Sequence, residues 1–301
     1  MRKGILYGVA AYALWGLFPI YWRYLSALPA VEIMCHRIVW SFLFLGAILI
    51  RRNHFGSWAH KSIRLITITY FLGTACLLAL NWLIFIWAVN HDYIVEASLG
   101  YFINPLVNVL LGVIFLKERP RFWQWFAIGI AAAAVLFLTF GYGSFPWIAL
   151  TLAFSFGFYA LLRKTGALSS LEGLSLEMAI LFVPALGYLL YSQHGGTGAF
   201  GHVGVMKTVL LALAGIITTV PLLLFGSAAR RISLTNLGLL QYISPTFQFL
   251  LGVFVYGETL TNARLIGFVA VWISLALYTV ESLKTRATIP ELQTYREECR
   301  S

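Results

Sequence analysis

The sequence predicts an all-α integral membrane protein whose ten transmembrane helices form two five-helix repeats of inverted topology. Composition is the first reason: 60% of the 301 residues are hydrophobic and 11% are charged, more apolar surface than a soluble domain can bury. Mean hydropathy is +0.83. The second reason is a duplication. Pro105 in YFINPLVNVLLGVIFLKE and Pro245 in QYISPTFQFLLGVFVYGE lie 140 positions apart. The same offset pairs Leu111 with Leu251, Gly112 with Gly252, Val113 with Val253, Glu118 with Glu258, Glu32 with Glu172 and Phe85 with Phe225. The third is charge. Of the 21 Lys and Arg, 17 fall at the N-terminus, in the second, fourth, sixth and eighth connections or in the C-terminal tail, the exceptions being Arg23, Arg37, Lys207 and Arg264. By the positive-inside rule both termini are cytoplasmic. An odd number of spans per half then turns the second repeat upside down.

Apolar runs place the spans at 5–24, 30–50, 65–89, 95–116, 122–140, 147–163, 174–191, 207–229, 236–256 and 263–282. Each approaches the ~20 residues that cross a hydrocarbon core, with the sixth and seventh short. They must be helical, because lipid offers the backbone no hydrogen-bond partner and nothing alternates like a barrel strand. Residues 4–140 form the first repeat, 145–282 the second and 283–301 a cytoplasmic tail. The run after Arg2 and Lys3 is too long and too aromatic for a cleaved leader, so it reads as a retained first helix.

The connections carry little chemistry. Residues 51–64, RRNHFGSWAHKSIR, read as a cytoplasmic interfacial turn with Phe55 and Trp58 at headgroup level. QHGGTGAFGHVG, 193–204, lacks the strand and the Lys-Ser/Thr ending of a phosphate loop and reads as a flexible connection. Cys35, Cys76 and Cys299 have no paired spacing, and His91-Asp92 is a single polar pair in a turn. No catalytic residue, metal or cofactor is expected. The net charge of +10 follows membrane topology, so no nucleic-acid partner is expected.

Polar residues inside the spans hold the information. Arg37, one and a half turns into the second span, costs roughly 2.5–3.5 kcal/mol at a bilayer centre and should face protein or water, or snorkel outward. Its repeat mate is Glu177. In the fourth span Glu96, Gly100, Asn104 and Asn108 recur every four residues as a stripe on one face. Asn81 lies at a comparable depth to Asn104 on the neighbouring helix. Buried asparagines also serve as glue between helices. Pro105 and Pro245 deprive the carbonyls of Tyr101 and Gln241 of their helical donors and are expected to kink both helices. Trp15, Tyr101, Trp82 and Trp87 supply aromatic walls. Gly4 with Gly8, and Gly129 with Ala133, read as packing seams.

NWLIFIWAVN followed by EASLGYFINPLVNVLLGVIFLKER, with AAYALWGLFPIYWRYL, EIMCHRIVWSF, LAFSFGFYALLRK and GIITTVPLLLFGSAARRISL in support, resembles the RarD family of EamA-type transporters within the drug/metabolite transporter superfamily. The resemblance covers residues 4–282. It implies an inner-membrane carrier with a central cavity and alternating access, and leaves the substrate open. On that reading the substrate-binding residues are Arg37, Asn81, Tyr101, Asn104, Trp15 and Gln241, with Arg37 receiving an anionic group. Glu96 is the first candidate for proton coupling, with Glu32 and Glu177 behind it; a facilitator or exchanger needs none. The expected partners are lipid and a small amphipathic solute, amino-acid-like or anionic, and the protein is a monomer or homodimer. Two other classes stay open: a polytopic enzyme acting on lipid, and a receptor or assembly subunit without flux.

Overall fold

Apolar residues fill helix after helix, and no strand occurs among the described residues. The computed structural model describes residues 2–91, 93–140, 145–257 and 265–281. Asp92, Glu258, Arg264, Cys299 and the tail expected at 283–301 lie outside them. The elements run α1 (Arg2–Gly16), α2 (Phe18–Leu25), α3 (Ala30–Arg51), α4 (Phe55–Ser62), α5 (Leu65–Asn90), α6 (Ile94–Leu116), α7 (Phe122–Phe140) and α8 (Trp147–Thr165). They continue with α9 (Ser170–His194), α10 (Val205–Ala229), α11 (Leu234–Gln241) and α12 (Ile243–Leu250), which passes into a π-helical turn at Leu251–Val255, and end with α13 (Leu265–Glu281). Eight stretches of the described residues are long and apolar enough to cross a membrane. At the expected sixth and tenth spans stand α8, whose last turn carries Arg163 and Lys164, and the shorter apolar α13.

Several boundaries differ from expectation for identifiable reasons. The first span is interrupted at Leu17, because Pro19 has no backbone N–H and leaves the Trp15 carbonyl without its helical donor. Gln248 Nε2 donates to that carbonyl instead, at 3.4 Å. Helix α9 begins at Ser170, where Ser169 and Glu172 form a reciprocal capping box that satisfies two orphan donors. The two register-equivalent prolines behave differently. Helix α6 continues through Pro105, whereas the second-half helix breaks at Tyr242, three residues before Pro245.

Close backbone approach sets the packing. A Cβ on Gly215 of α10 would lie 2.4 Å from the Trp40 carbonyl carbon of α3, and Ser41 Oγ donates to the Gly215 carbonyl at 3.1 Å. Gly4 and Gly8 of α1 are similarly covered by Arg231 and Leu240. Gly129 meets nothing within 4 Å and Ala133 is exposed, so that pair forms no seam among the described residues. The segment 51–64 contains a short helix, α4, in place of a simple turn. Residues 193–204 are docked: Ala199 N donates to Glu32 Oε1 at 2.6 Å, and Phe200 stacks on His36 with centroids 5.1 Å apart. Positive φ at Gly196, Gly201 and Gly204 provides the sharp turns this docking requires.

Candidate functional site

A cavity of about 260 Å³ opens among the helix ends remote from Arg2. Helices α1, α2, α3, α5, α6, α8, α10, α11 and α12 all contribute to its wall, so both halves of the chain build it. Arg37, Asn81, Tyr101, Asn104, Trp15 and Gln241 all line it. Glu96, Glu32 and Glu177 do not.

Arg37 is fixed at one edge and open at the other. Its Nε donates to Thr218 Oγ1 of α10 at 2.9 Å. Its guanidinium carbon lies 4.3 Å from the Trp82 ring centroid and 5.0 Å from that of Trp22. Each cation–π contact contributes about 0.5–2 kcal/mol, depending on desolvation. Among the described residues no carboxylate lies within 4.0 Å of Arg37. Tyr101, 36% exposed, packs edge-on against Phe85 and presents a hydroxyl without a hydrogen-bond partner among the described residues.

The amides are more committed. Asn81 Nδ2 donates to the Leu152 carbonyl at 2.9 Å and to Ser155 Oγ at 3.0 Å, tying α5 to α8. Asn104 Nδ2 donates to the Ala153 carbonyl at 2.7 Å, and its Oδ1 accepts from Asn108 Nδ2 at 3.1 Å. Asn108 also donates to Gln241 Oε1 at 3.2 Å, which carries the network from α6 into α11. Glue and cavity wall are thus combined in the same asparagines.

Each of the three carboxylates has a partner elsewhere. Glu96 Oε1 accepts from Ile148 N at 2.8 Å and so caps the start of α8, where the first helix N–H groups have no intrahelical partner. Glu32 holds Ala199 N, with His36 Nε2 3.9 Å away. Glu177, fully buried, accepts from Tyr159 Oη at 3.1 Å and pairs with Arg163 Nη1 at 3.4 Å.

That last contact closes the end opposite the cavity. Tyr12, Trp15 and Phe156 form the cavity floor, and Phe225 packs beneath them at centroid distances of 6.2, 5.6 and 5.2 Å. Tyr159 stacks on Phe225 at 6.0 Å and reaches Glu177. Beyond them Lys164 donates to the Ala229 and Ile232 carbonyls, Arg230 to those of Gly166 and Leu168, and Glu118 accepts from Leu234 N and Thr235 N. Sequence reasoning missed Trp22 and Thr218, the partners of Arg37. Trp87, expected as a wall, stacks instead with His91 and Tyr93.

A multi-helical chain with an amphipathic cavity between its halves fits a transporter in class, and the comparisons with known proteins support that class. The EamA-like transporter family model matches residues 2–140 and again 145–280. The chain belongs to that family, in its RarD branch. It is 45% identical to "Protein RarD" of Streptomyces exfoliatus, over 94% of this chain and 90% of that one. It is 44% identical to "Uncharacterized transporter YojE" of Bacillus subtilis, over 94% of this chain and 95% of that one. A solved structure described as "Crystal structure of protein" shares the fold, with TM-score 0.71 and 18% identity over 92% of this chain and 97% of that one.

Proposed function

We propose that the protein is an alternating-access carrier of the bacterial inner membrane that moves a small amphipathic solute held at Arg37. The observation that carries this reading is a cavity, walled by both halves, in which Arg37, with no carboxylate partner among the described residues, stands among aromatic rings. Proteins that bury a cation in a membrane commonly use it for function.

The ten helices are read as two inverted repeats, 4–140 and 145–282. Two cross-half relationships support this. Tyr242 Oη donates to the Phe102 carbonyl at 3.2 Å, joining positions 140 apart, as residues beside a two-fold axis would. Glu32 reaches Ala199 in one half's connection, while Glu172, its mate, accepts from Lys61 Nζ at 2.9 Å in the other's. With both termini cytoplasmic, the cavity faces outward and the Arg163–Glu177 end faces the cytoplasm. Glu96, Glu32 and Glu177 are read as positioning groups, since each is engaged by protein and none lines the cavity.

Counterflow in proteoliposomes, using radiolabelled aromatic acids, amino acids and amines, tests the carrier. Arg37→Lys keeps the charge but loses the planar fork, and should lower flux at least tenfold at unchanged incorporation. Absence of flux for every solute that binds would overturn the carrier reading, and turnover of a liposome lipid would replace it with an enzyme.

A further inference from the structure

We infer that the cavity selects amphipathic organic monoanions, carboxylates above all, and rejects zwitterionic amino acids and amines of the same shape. This deepens the carrier reading and rests on it. Among the described residues Arg37 is the sole charged group lining the cavity. Neutral polar groups and aromatic rings make up most of the remaining wall.

The orientation of Arg37 defines the ligand group. Its Nε is spent on Thr218, while neither Nη has a partner among the described residues or is counted among the buried unpaired atoms. The edge left open is the pair of terminal nitrogens. Two parallel N–H donors match the two oxygens of a carboxylate. One cation balances one negative charge, so a dianion would carry a second charge into the wall unpaired.

The same chemistry disfavours an ammonium. Cavity acceptors such as Asn81 Oδ1 and Gln241 are neutral, and no acidic side chain among the described residues faces a substrate there. An α-amino acid bound through Arg37 would leave its ammonium desolvated and near a guanidinium, with no counter-charge. An aromatic ring in the substrate instead finds Trp15, Trp82, Phe85 and Phe156. An apolar cavity of about 150 Å³ holds benzene, so about 260 Å³ accommodates one ring with a short acid side chain.

The experiment compares three molecules sharing one phenyl group and a two-carbon spacer: 3-phenylpropionate, phenylalanine and 2-phenylethylamine. Binding is read from ligand-dependent thermal unfolding of the purified full-length protein and by calorimetry. 3-Phenylpropionate should bind at least tenfold more tightly than phenylalanine, with no measurable stabilisation by the amine. Arg37→Gln should erase the preference while keeping the parental elution profile. Equal binding of phenylalanine, tighter binding of the amine, no binding of the acid, or a folded Arg37→Gln variant that retains the preference would each overturn the inference. The ligand series is run on the unaltered protein and stands if the variant fails to fold. Selective binding of the acid without its counterflow would refute the carrier and leave the selectivity intact.

Discussion

Arg163 and Glu177 meet as an ion pair sealed from solvent, Nη1 to Oε1 at 3.4 Å, with side chains 2% and 0% exposed. The positions 140 earlier hold Arg23 and Arg37, two cations that form no such pair among the described residues. Arg23 lies instead 4.6 Å from the Tyr256 ring centroid. The buried ion pair thus has no counterpart at the equivalent positions among the described residues. Removing one member strands the other charge in the interior, so Glu177→Ala should cost about 3–5 kcal/mol. Replacing both, as Arg163→Met with Glu177→Leu, should recover most of that loss. Thermal unfolding in detergent reads both; an unchanged midpoint for Glu177→Ala would mean the pair contributes nothing.

Asn108 bridges the halves by giving both its amide hydrogens, one to Asn104 and one to Gln241. Asn108→Ala leaves two acceptors in or beside the cavity wall without their donor and should lower stability by about 1–3 kcal/mol. Denaturation at equal detergent concentration checks it, and Asn108→Ala in a Gln241→Leu background should cost less.

Glu96 caps α8 through Ile148 N. Glu96→Gln retains an acceptor oxygen and should leave the pH dependence of counterflow unchanged, while Glu96→Leu leaves the Ile148 amide without this acceptor and should lose about 1–3 kcal/mol of stability. A flattened pH profile in Glu96→Gln would return the carboxylate to a coupling role.

Gly215 and Gly129 offer a matched contrast. A Cβ at 215 meets the Trp40 backbone, while one at 129 meets nothing within 4 Å. Gly215→Ala should reduce the yield of folded protein sharply, because the obstacle is backbone and cannot rotate away. Gly129→Ala should be neutral or slightly stabilising through helix propensity, by up to ~1 kcal/mol. Expression monitored by size exclusion distinguishes them.

Orientation is tested by single cysteines at Ser57 and Gly196 in a background lacking the native cysteines. Membrane-impermeant reagent should label them from opposite faces. Labelling from the same face would contradict the inverted arrangement.

Much of this was legible in the chain because lipid restricts the backbone to helices, and apolar length then marks most spans directly. Arg37 stood out for the same reason: a charge in that setting must have somewhere to go. Thr218 and Trp22 were not legible, since a threonine before Pro221 and a tryptophan beside Arg23 look like ordinary membrane residues until the two halves meet. Glu96 shows what periodicity leaves out. Its stripe with Asn104 and Asn108 is real in sequence, but the carboxylate turns to an orphan amide of α8, which local spacing cannot reveal. The break at Tyr242 and the unbroken course of α6 likewise escape a register that treats Pro105 and Pro245 alike.

The Gly215 seam has a mechanical meaning. Arg37 lies one turn before Ser41 on α3, and Thr218 lies three residues beyond Gly215 on α10. Backbone against backbone, these two helices join the first half of the chain to the second along one seam. The guanidinium is thereby bolted to a common frame instead of riding on either half alone. The two helix interruptions that border the cavity, at Leu17 and at Tyr242, lie outside this seam.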